Sequence, residues 1–515
     1  MQTMYLDYEK LEVYGSWDVV VVGGGMAGTA AGMAAGKRGF KTLIIDTNGA
    51  LGGLVTLGLV NIPLDYSCGL GEEMLRELEK LDAHWHRNTD PEKHKLVLDR
   101  MVKKYNCDLL LVSTVIDTIM EGNEVKGVIV TSKTGPKVIW AKRVIDCSGD
   151  SDAAFYAGAE TVCGRPGDHM SQACSLEFVL SGVDWDKYLA SDVKKKDAKW
   201  IGLIKEGLAS GDLPYEVDNH LNWITHIPGR PQHCGMDEVS ICFAHSRRCF
   251  PTDNWDLTRM YTEGREQVAF LTKFIRKFVP GFENCWLSYT GALMGVRESR
   301  RVIGEYVLTA SNIAHNDRFD DVIAISAHGY DIHNYEAPGN IKWAKMEIVG
   351  KDAYVICNPG GYGTTTPPPD GNEVVNVKGQ TYENAEFDPV NFYDIPYRCI
   401  VPVKTDSLLV AGRNISTDVE AQSGIRLILT CFNLGQVAGT AAAMSLEQGI
   451  QPRALDVHQL QRQLVSDGVN IGQKLRHIDG ISEGEVSAEK EQNTSFQNPE
   501  HRYYSKKSEE SYKKL

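Results

Sequence analysis

The chain has 515 residues, 42% of them hydrophobic and 24% charged, a composition typical of a globular protein large enough for two or three lobes. The formal net charge of −14 argues against general binding to nucleic-acid phosphates. No apolar run approaches the length of a transmembrane helix, and residues 1–16 lack the basic and apolar segments of a signal peptide, so we expect no membrane partner.

The first predicted unit is a buried strand followed by a glycine-rich turn and a helix. Val19–Val22 form a continuous apolar run, as expected for a parallel strand covered on both faces. The helix, over about residues 26–38, is rich in small side chains that permit close packing on a sheet. Asp46 ends the next apolar run, where a carboxylate can accept hydrogen bonds from a ribose. The turn has the spacing of a dinucleotide-binding fingerprint, whose alternative is an ordinary structural turn: Gly23, Gly25 and Gly28.

A second glycine turn, Gly52-Gly53, follows the acid closely and would let the chain run beside an extended flavin. Residues 108–130 predict a hairpin-like pair of strands. A further buried strand at residues 143–147 ends at the small-residue turn Ser148-Gly149. We therefore expect an α/β fold with a Rossmann-type domain that extends to about residue 160.

Residues 161–399 are less regular, and we expect them to form an inserted α+β substrate or cap domain. The region contains an amphipathic helix near residues 257–278 and an apolar strand at residues 322–325. It also contains a loop rich in Gly, Pro and Thr at residues 358–371. The substrate therefore belongs with this part of the chain.

Residues 407–448 return to the nucleotide-binding pattern, with a strand at 408–411, a turn at Gly412-Arg413 and a helix that ends near residue 448. This segment can close over a flavin ring, and its helix N-terminus can stabilise negative charge on the reduced ring. An NAD domain needs neither this segment nor the second glycine turn, so the pattern favours FAD. We expect the FAD-binding domain to comprise residues 17–160 and 400–450, with a polar tail at 482–515.

Four motifs carry a family resemblance: Gly52-Gly53-x-x-Thr56-x-Gly58, Asp146-Cys147-Ser148-Gly149-Asp150-x-Asp152, Gly291–Arg300, and Ile395–Arg398 with Leu409–Arg413. Together they resemble the bacterial FAD-dependent oxidoreductase family often labelled xanthan-lyase-related, within the glutathione-reductase-like flavoprotein superfamily. The resemblance spans about residues 17–450 and implies FAD and a Rossmann-type fold with an inserted substrate domain. It implies no particular substrate. The family's usual Asp-Ala-Thr-Gly-Asp turn is Asp-Cys-Ser-Gly-Asp here, a conservative departure.

The motifs give a set of residues expected to contact FAD, and no metal ligands are expected. A second glycine fingerprint and a close redox cysteine pair are both missing from the sequence, which disfavours the disulfide reductases. Gly360–Gly363 precedes a proline run and predicts a loop instead. The expected FAD contacts are Gly23, Gly25, Met26, Ala27, Gly28, Asp46, Thr47, Gly52, Gly53, Thr56, Val115, Ser148, Gly149, Asp152, Gly412, Arg413, Ser423, Gly424, Ile425 and Arg426.

Candidate catalytic residues are those that could bind the substrate or move a proton. Arg297 could bind a carboxylate or carbonyl, although the cluster it forms with Arg300, Arg301 and Glu298 could instead make internal ion pairs. His328 and Tyr330 follow the strand at 322–325, where a solvated surface turn is the alternative. Tyr397 could supply a hydroxyl or simply pack in a core. His226 and His245 have no partner visible in the sequence and are expected to be structural.

The resulting prediction is an FAD-dependent oxidoreductase that transfers a hydride between flavin N5 and a small or medium organic molecule. Oxidation of C–OH or C–N and reduction of C=C or C=O both stay open, as do the electron donor or acceptor and a homo-oligomeric state. One alternative is an ene-reductase similar to the fumarate-reductase flavoproteins, which would need an Arg/His set that binds a carboxylate. Another is a flavin subunit of an electron-transfer complex. Twelve cysteines without a CxxC pair suit a reducing cytoplasm.

Overall fold

The computed structural model describes residues 10–65, 67–85, 87–230, 236–341, 343–348, 351–356, 374–375, 392–473 and 477–481. The α-helices in these ranges are α1 Met26–Lys37, α2 Leu70–Lys80, α3 Pro91–Lys104, α4 Asp152–Tyr156, α5 Trp185–Ala190, α6 Asp192–Lys196, α7 Ile201–Ser210, α8 Asn254–Phe278, α9 Ala310–His315, α10 Val419–Ile425, α11 Ile428–Glu447 and α12 Val457–Ser466.

The strands of the same ranges are β1 Glu12–Val22, β2 Thr42–Ile45, β3 His84–Trp85, β4 Asn88–Thr89, β5 Cys107–Leu110, β6 Val115–Glu121, β7 Glu124–Val130, β8 Lys137–Asp146, β9 Thr161–Cys163, β10 Cys174–Ser175, β11 Phe178–Val183, β12 Trp223–His226, β13 Asp237–Cys242, β14 His245–Ser246, β15 Trp286–Thr290, β16 Arg300–Val302, β17 Val322–Ser326, β18 Trp343–Ile348, β19 Lys351–Ile356, β20 Val374–Val375, β21 Tyr393–Pro396 and β22 Leu408–Val410.

The main sheet has the strand order β5-β2-β1-β8-β7-β6, and β22 also pairs with β8. Strands β5, β2, β1, β8 and β22 run parallel, whereas β6 and β7 form an antiparallel hairpin beside β8. The final residues of β1, Val19–Val22, are at most 4% exposed, as their continuous apolar run predicts. The sheet is therefore mixed, with a parallel core and one antiparallel hairpin, and it belongs to an α/β fold.

The hairpin begins later than the sequence pattern suggested. Residues 107–110 pair in parallel with β2, in a register that places Leu109 opposite Ile44, so the apolar run at 109–111 belongs to the parallel sheet. The hairpin consists of β6 and β7 alone. The prediction of a hairpin over 108–130 was wrong in this respect because a short apolar run does not reveal its pairing partner.

Helices α1 and α11 pack backbone to backbone, which explains their richness in small residues. A Cβ on Gly435 would lie 2.0 Å from the carbonyl oxygen of Ala27, and a Cβ on Gly439 would lie 2.1 Å from that of Ala31. The predicted single helix after Gly412 is in fact two helices, α10 and α11, which meet at an angle of 92°. This bent pair passes a length and hydropathy test for a membrane span only when both helices are counted, and no single helix in the described ranges passes it.

A second lobe is built on the antiparallel sheet β12-β13-β11-β15 and on α8. Its own core includes Phe178, Phe243 and Phe274, each at most 1% exposed. Helix α8 covers the predicted amphipathic segment and begins at Asn254, where the Asp253 carboxylate accepts the Trp255 backbone N–H at 2.9 Å. The division of the chain near residues 160 and 400 stays a prediction. The loop at 358–371, with Gly360–Gly363, and the tail at 482–515 lie outside the described residues.

The close approach of α1 to its own turn makes Gly28 a test of the fold. A Cβ on Gly28 would lie 1.7 Å from the carbonyl oxygen of Gly23, which is backbone and cannot rotate away. We expect Gly28→Ala to lower the stability by about 3 kcal/mol, in the range of overpacked cores. Thermal melting of purified protein measures this loss. A melting midpoint equal to that of the wild type would contradict this view of the turn.

Candidate functional site

The carboxyl ends of β1, β2, β8 and β22 meet at one edge of the main sheet because these strands are parallel. The turns that leave this edge carry Gly23, Asp46, Ser148 and Gly412. A cleft of about 410 Å³ opens along the edge, a volume typical of small-molecule sites. Ligands of open α/β sheets bind at this position.

The two glycine turns meet inside the cleft. Gly25 and Gly52 form a parallel β-bridge, and the Gly52 N–H donates to the Gly24 carbonyl at 2.9 Å. A Cβ on Gly25 would meet no atom of the described chain within 4 Å, so the backbone here faces open space. Gly25 also caps α1 without a side chain, and Met26 and Ala27 line the cleft. The N–H groups of the first turn of α1 are therefore placed to bind an anionic group such as a pyrophosphate.

Asp46 is fixed at the cleft with its carboxylate oriented by backbone donors. It is 8% exposed, and its Oδ2 accepts the Gly24 N–H at 2.5 Å. Its Oδ1 accepts the Asn48 backbone N–H at 2.7 Å and the Asn48 side-chain amide at 2.9 Å. Burial raises the pKa of this carboxyl, and the hydrogen bonds oppose the rise. With one donor among the described residues against two for Oδ1, Oδ2 keeps a further lone pair, which fits a role in binding a ribose hydroxyl.

Two arginines lie along the cleft beyond the glycine turns. Arg413 donates from Nη2 to Asp150 at 2.6 Å and packs against Gly149, where a Cβ would lie 2.5 Å from its Nη1. Arg426 donates from Nη2 to Asp331 at 3.0 Å and is the C-cap of α10, rather than part of the last helix as predicted. The Nε of each is buried without a hydrogen-bond partner in the described chain. Both guanidinium groups therefore retain donors for a ligand.

The second lobe forms an apolar wall opposite the glycine turns. Tyr261 belongs to this wall, but its hydroxyl accepts the Met294 N–H at 2.7 Å and donates to the Ala292 carbonyl at 3.1 Å. The tyrosine hydroxyl is thus occupied by backbone groups, and the wall presents mainly hydrocarbon and sulfur. No sequence pattern singled these residues out, although three fall in the Gly291–Arg300 motif. The wall comprises Pro251, Leu257, Tyr261, Leu293, Met294 and Val296.

Most of the residues expected to contact FAD line the cleft: Gly23, Gly25, Met26, Ala27, Asp46, Thr47, Gly52, Gly53, Val115, Ser148, Gly149, Asp152, Gly412, Arg413 and Arg426. Gly28, Thr56, Ser423, Gly424 and Ile425 do not. The Thr56 hydroxyl donates to the Leu51 carbonyl at 2.6 Å, and the Ser423 hydroxyl donates to the Glu420 carbonyl at 2.6 Å. Besides the wall, the cleft residues that were not among the expected contacts are Val22, Ile45, Asn48, Leu54, Val55, Ser113, Thr114, Cys147, Asp150, Ile428 and Cys431.

None of the four catalytic candidates is among the described residues that line the cleft. These candidates are Arg297, His328, Tyr330 and Tyr397. The Tyr330 hydroxyl donates to the Ala310 carbonyl at 2.6 Å, and the Tyr397 hydroxyl donates to the Pro452 carbonyl at 2.9 Å. Both tyrosines are at most 5% exposed and belong to the main core. The structure therefore brings neither hydroxyl to the cleft. His328 lies with its Nδ1 2.8 Å from the Gly329 carbonyl oxygen, in a partly buried loop.

Arg297 belongs instead to a buried polar cluster with His245, His333, Asp218 and Asp331, here called the histidine–arginine cluster. The rings of His245 and His333 stack with centroids 5.7 Å apart. His245 Nε2 lies 3.4 Å from Arg297 Nη2, and its Nδ1 lies 3.2 Å from Asp218. His333 Nε2 lies 3.5 Å from Asp331, which also binds Arg426. His245, expected to be a lone structural histidine, thus has partners from distant parts of the chain.

The two imidazoles of the histidine–arginine cluster are neutral near pH 7. Burial and the nearby Arg297 charge lower the pKa of His333 to about 3 and hold the pKa of His245 well below its usual value. Beside them, Glu177 is 1% exposed and accepts the Ser175 hydroxyl at 2.9 Å. Burial raises the pKa of Glu177 to about 7, although Cys242, Ser175 and Arg297 oppose the rise.

A parallel sheet whose glycine turn, buried acid and helix N-terminus meet at one cleft defines a dinucleotide-binding protein. The chain belongs to the family described as FAD dependent oxidoreductase, which matches residues 18–464. It is therefore an FAD-dependent oxidoreductase. The cleft fits that cofactor, because the open space at Gly25, the uncapped start of α1 and the buried Asp46 suit its pyrophosphate and ribose.

One curated relative is a digeranylgeranylglycerophospholipid reductase from Methanoculleus marisnigri, 24% identical over 222 residues that cover 36% of this chain. The match spans 52% of that relative, about half its length. A geranylgeranyl bacteriochlorophyll reductase-like structure from Thermoplasma acidophilum has 13% identity and a TM-score of 0.39, covering 89% of this chain and 86% of that one. A variant of the flavin-dependent brominase Bmp2 has 12% identity and a TM-score of 0.37, covering 87% and 84%.

A substitution at Gly25 tests FAD binding separately from folding. Because a Cβ here would project into open space, we expect Gly25→Val to fold normally and to lose FAD, with affinity lowered by about tenfold or more. The ratio of flavin absorbance to protein absorbance, together with the melting midpoint of the apoprotein, measures both effects. Full flavin content in this variant would show that the cofactor does not approach the turn.

The buried Glu177 makes stability depend on pH. Its pKa is higher in the folded chain, about 7, than its ordinary value of 4.5, so the stability it contributes at low pH is lost as the pH rises through 7. Between pH 6 and pH 8 this loss amounts to about 1 kcal/mol. We expect Glu177→Gln to remove that part of the decline, seen as a smaller fall in melting midpoint of the FAD-loaded protein. Glu79→Gln, at an exposed site, should follow the wild type; parallel declines in all three proteins would refute the assignment.

Proposed function

We propose that the protein transfers a hydride between flavin N5 and a small or medium organic substrate. The supporting observation is that one cleft is lined both by the glycine turns at the sheet edge and by the apolar wall of the second lobe. Bound flavin supplies a hydride donor or acceptor at N5. Residues such as Leu293, Met294 and Val296 then pack against the organic substrate and exclude water.

The polar residues of the cleft have separate roles in this proposal. Asp46 binds ribose hydroxyls, and the start of α1 binds the pyrophosphate. Arg413 and Arg426 donate hydrogen bonds from guanidinium groups whose positions Asp150 and Asp331 fix. A fixed donor costs no reorganisation when negative charge develops beside it.

We include both oxidation and reduction of the organic substrate in this proposal. The electron donor or acceptor is still to be identified. The apolar wall suits a substrate with a hydrocarbon body. The curated relative is named a digeranylgeranylglycerophospholipid reductase, which favours reduction over oxidation as the starting hypothesis. We further propose a protein of the xanthan-lyase-related type within the glutathione-reductase-like superfamily, with residues 161–399 as an inserted cap, acting in the cytoplasm.

Anaerobic mixing tests the proposal. The FAD-loaded protein is mixed with sugars, hydroxy acids and amino acids, and the dithionite-reduced protein is mixed with unsaturated acids, aldehydes and ketones. At least one compound should bleach the flavin band of the oxidised protein or restore that of the reduced protein. If no compound in either panel changes the flavin absorbance, hydride exchange with small organic molecules is refuted.

A wall variant distinguishes organic substrates from a general electron donor. Leu293 lines the cleft and is only partly buried, so Leu293→Asn should fold and retain FAD. We expect it to slow hydride exchange with the organic substrate by about tenfold through lost apolar contact. Reduction by dithionite, which needs no apolar contact, should keep its rate. Equal slowing of both reactions would indicate damage to the cofactor site.

A further inference from the structure

Arg297 is a partly buried cation without an acidic partner. In the described chain no carboxylate lies within 4 Å of its guanidinium, whereas its neighbours are paired. Arg301 lies 3.7 Å from Glu298, Arg413 lies 2.6 Å from Asp150, and Arg426 lies 3.0 Å from Asp331. Removing a charge from water without a partner costs several kcal/mol.

Arg143 shows how the same fold satisfies an arginine that has no carboxylate within 4 Å among the described residues. It is 9% exposed, and its three nitrogens donate to two serine hydroxyls and two backbone carbonyls at 2.5–3.3 Å. Arg297 has fewer partners. Its Nη1 donates to the Ala173 carbonyl and its Nη2 faces His245, while its Nε has no acceptor among the described residues. Arg297 thus retains both unused donors and an unneutralised charge.

The two aspartates of the histidine–arginine cluster each pair with another arginine: Asp331 lies 3.0 Å from Arg426, and Asp218 lies 3.6 Å from Arg247. His245 and His333 are neutral imidazoles near pH 7. The Arg297 charge lowers the pKa of Glu177, yet burial raises that pKa to about 7 and so opposes ionisation of the carboxyl. A net positive potential therefore remains around the Arg297 guanidinium.

The backbone of Arg297 adjoins residues of the cleft, although Arg297 does not itself line the cleft in the described chain. The preceding residue, Val296, belongs to the apolar wall. The Gln422 side-chain amide donates to the Arg297 carbonyl at 2.9 Å, and Gln422 lies one helical turn before Arg426 in α10. The side chains of Arg297 and Arg426 are linked through the histidine–arginine cluster: Arg297 faces His245, which stacks on His333, and Asp331 contacts both His333 and Arg426.

We propose that Arg297, with Arg426, binds a carboxylate group of the substrate where the cleft ends at Arg426, with Arg426 lining the cleft and Arg297 in the histidine–arginine cluster next to it. A carboxylate matches the planar fork of a guanidinium and neutralises one positive charge, which is the charge left uncompensated here. The apolar wall then receives the hydrocarbon part of the same molecule. The substrate class is therefore an organic acid with an apolar body, an identification that rests on the proposed hydride transfer.

Two matched probes test this site without turnover. Phenylacetate and phenylacetamide share one shape and differ in charge, and each is titrated into the FAD-loaded protein while the flavin absorbance spectrum reports binding. We expect phenylacetate to bind about tenfold or more tightly than the amide, as for a charge-assisted hydrogen bond. Equal affinities would overturn the proposal.

Variants then assign the preference to Arg297. Arg297→Gln should abolish the preference for phenylacetate, and Arg297→Lys should keep part of it because the charge stays while the fork is lost. Arg398→Gln, at an exposed arginine paired with Asp321, serves as the control and should bind as the wild type does. An unchanged preference in Arg297→Gln, with flavin content intact, would overturn the assignment.

The experiments distinguish failure of the proposed hydride transfer from failure of the proposed carboxylate site. If an organic substrate bleaches the flavin but the carboxylate preference is missing, hydride transfer stands and the carboxylate site fails. If phenylacetate binds through Arg297 but no organic compound exchanges electrons with the flavin, the site stands as a binding site and the proposed function fails. If Arg297→Gln loses its flavin, the preference of Arg297→Lys relative to wild type decides the question.

Discussion

The contact on which the site depends is the approach of α1 to the end of β1. Gly28 lies so close to the Gly23 carbonyl that a Cβ would fall 1.7 Å from that oxygen, and a Cβ on Gly23 would fall 2.5 Å from the Cys147 carbonyl. Gly23 also has a φ of +100°, which side chains rarely adopt. These constraints hold the start of α1 at the sheet edge. The helix N-terminus, the second glycine turn and Asp46 then meet around one cleft.

The rest of the site consists of arginine side chains that the fold shields partly from water. Arg413 and Arg426 each bind an aspartate, yet each keeps a buried Nε without a partner in the described chain. In the described chain, Arg297 has no carboxylate within 4 Å and lies beside two neutral histidines. A partly buried charge without a carboxylate partner is costly, so a fold that retains one next to a cofactor cleft has the electrostatic character of a binding site. The apolar wall of the second lobe strengthens these interactions by excluding water.

Local chemistry made about half of this site predictable. The glycine turn, Asp46, helix α1 and strand β22 each follow from a short pattern with a fixed physical meaning, and the structure places them as expected. The apolar wall and the partners of His245 come from segments far apart in sequence, whose contacts leave no periodicity or spacing. Tyr330 and Tyr397 were candidates by residue type and by their position next to predicted strands, and tertiary packing turned their hydroxyls towards backbone carbonyls. The strand at 107–110 was misassigned for the same reason, since pairing is a tertiary choice.

The central claim is that FAD binds along the sheet edge, with its ring between the second glycine turn and the apolar wall. The most direct measurement is a crystal structure of the FAD-loaded protein. We expect pyrophosphate density at the N–H groups of Met26 and Ala27, ribose hydroxyls at Asp46, and the ring system beside Leu293 and Arg426. Density for FAD outside this cleft, or a ring system remote from the apolar wall, would contradict it.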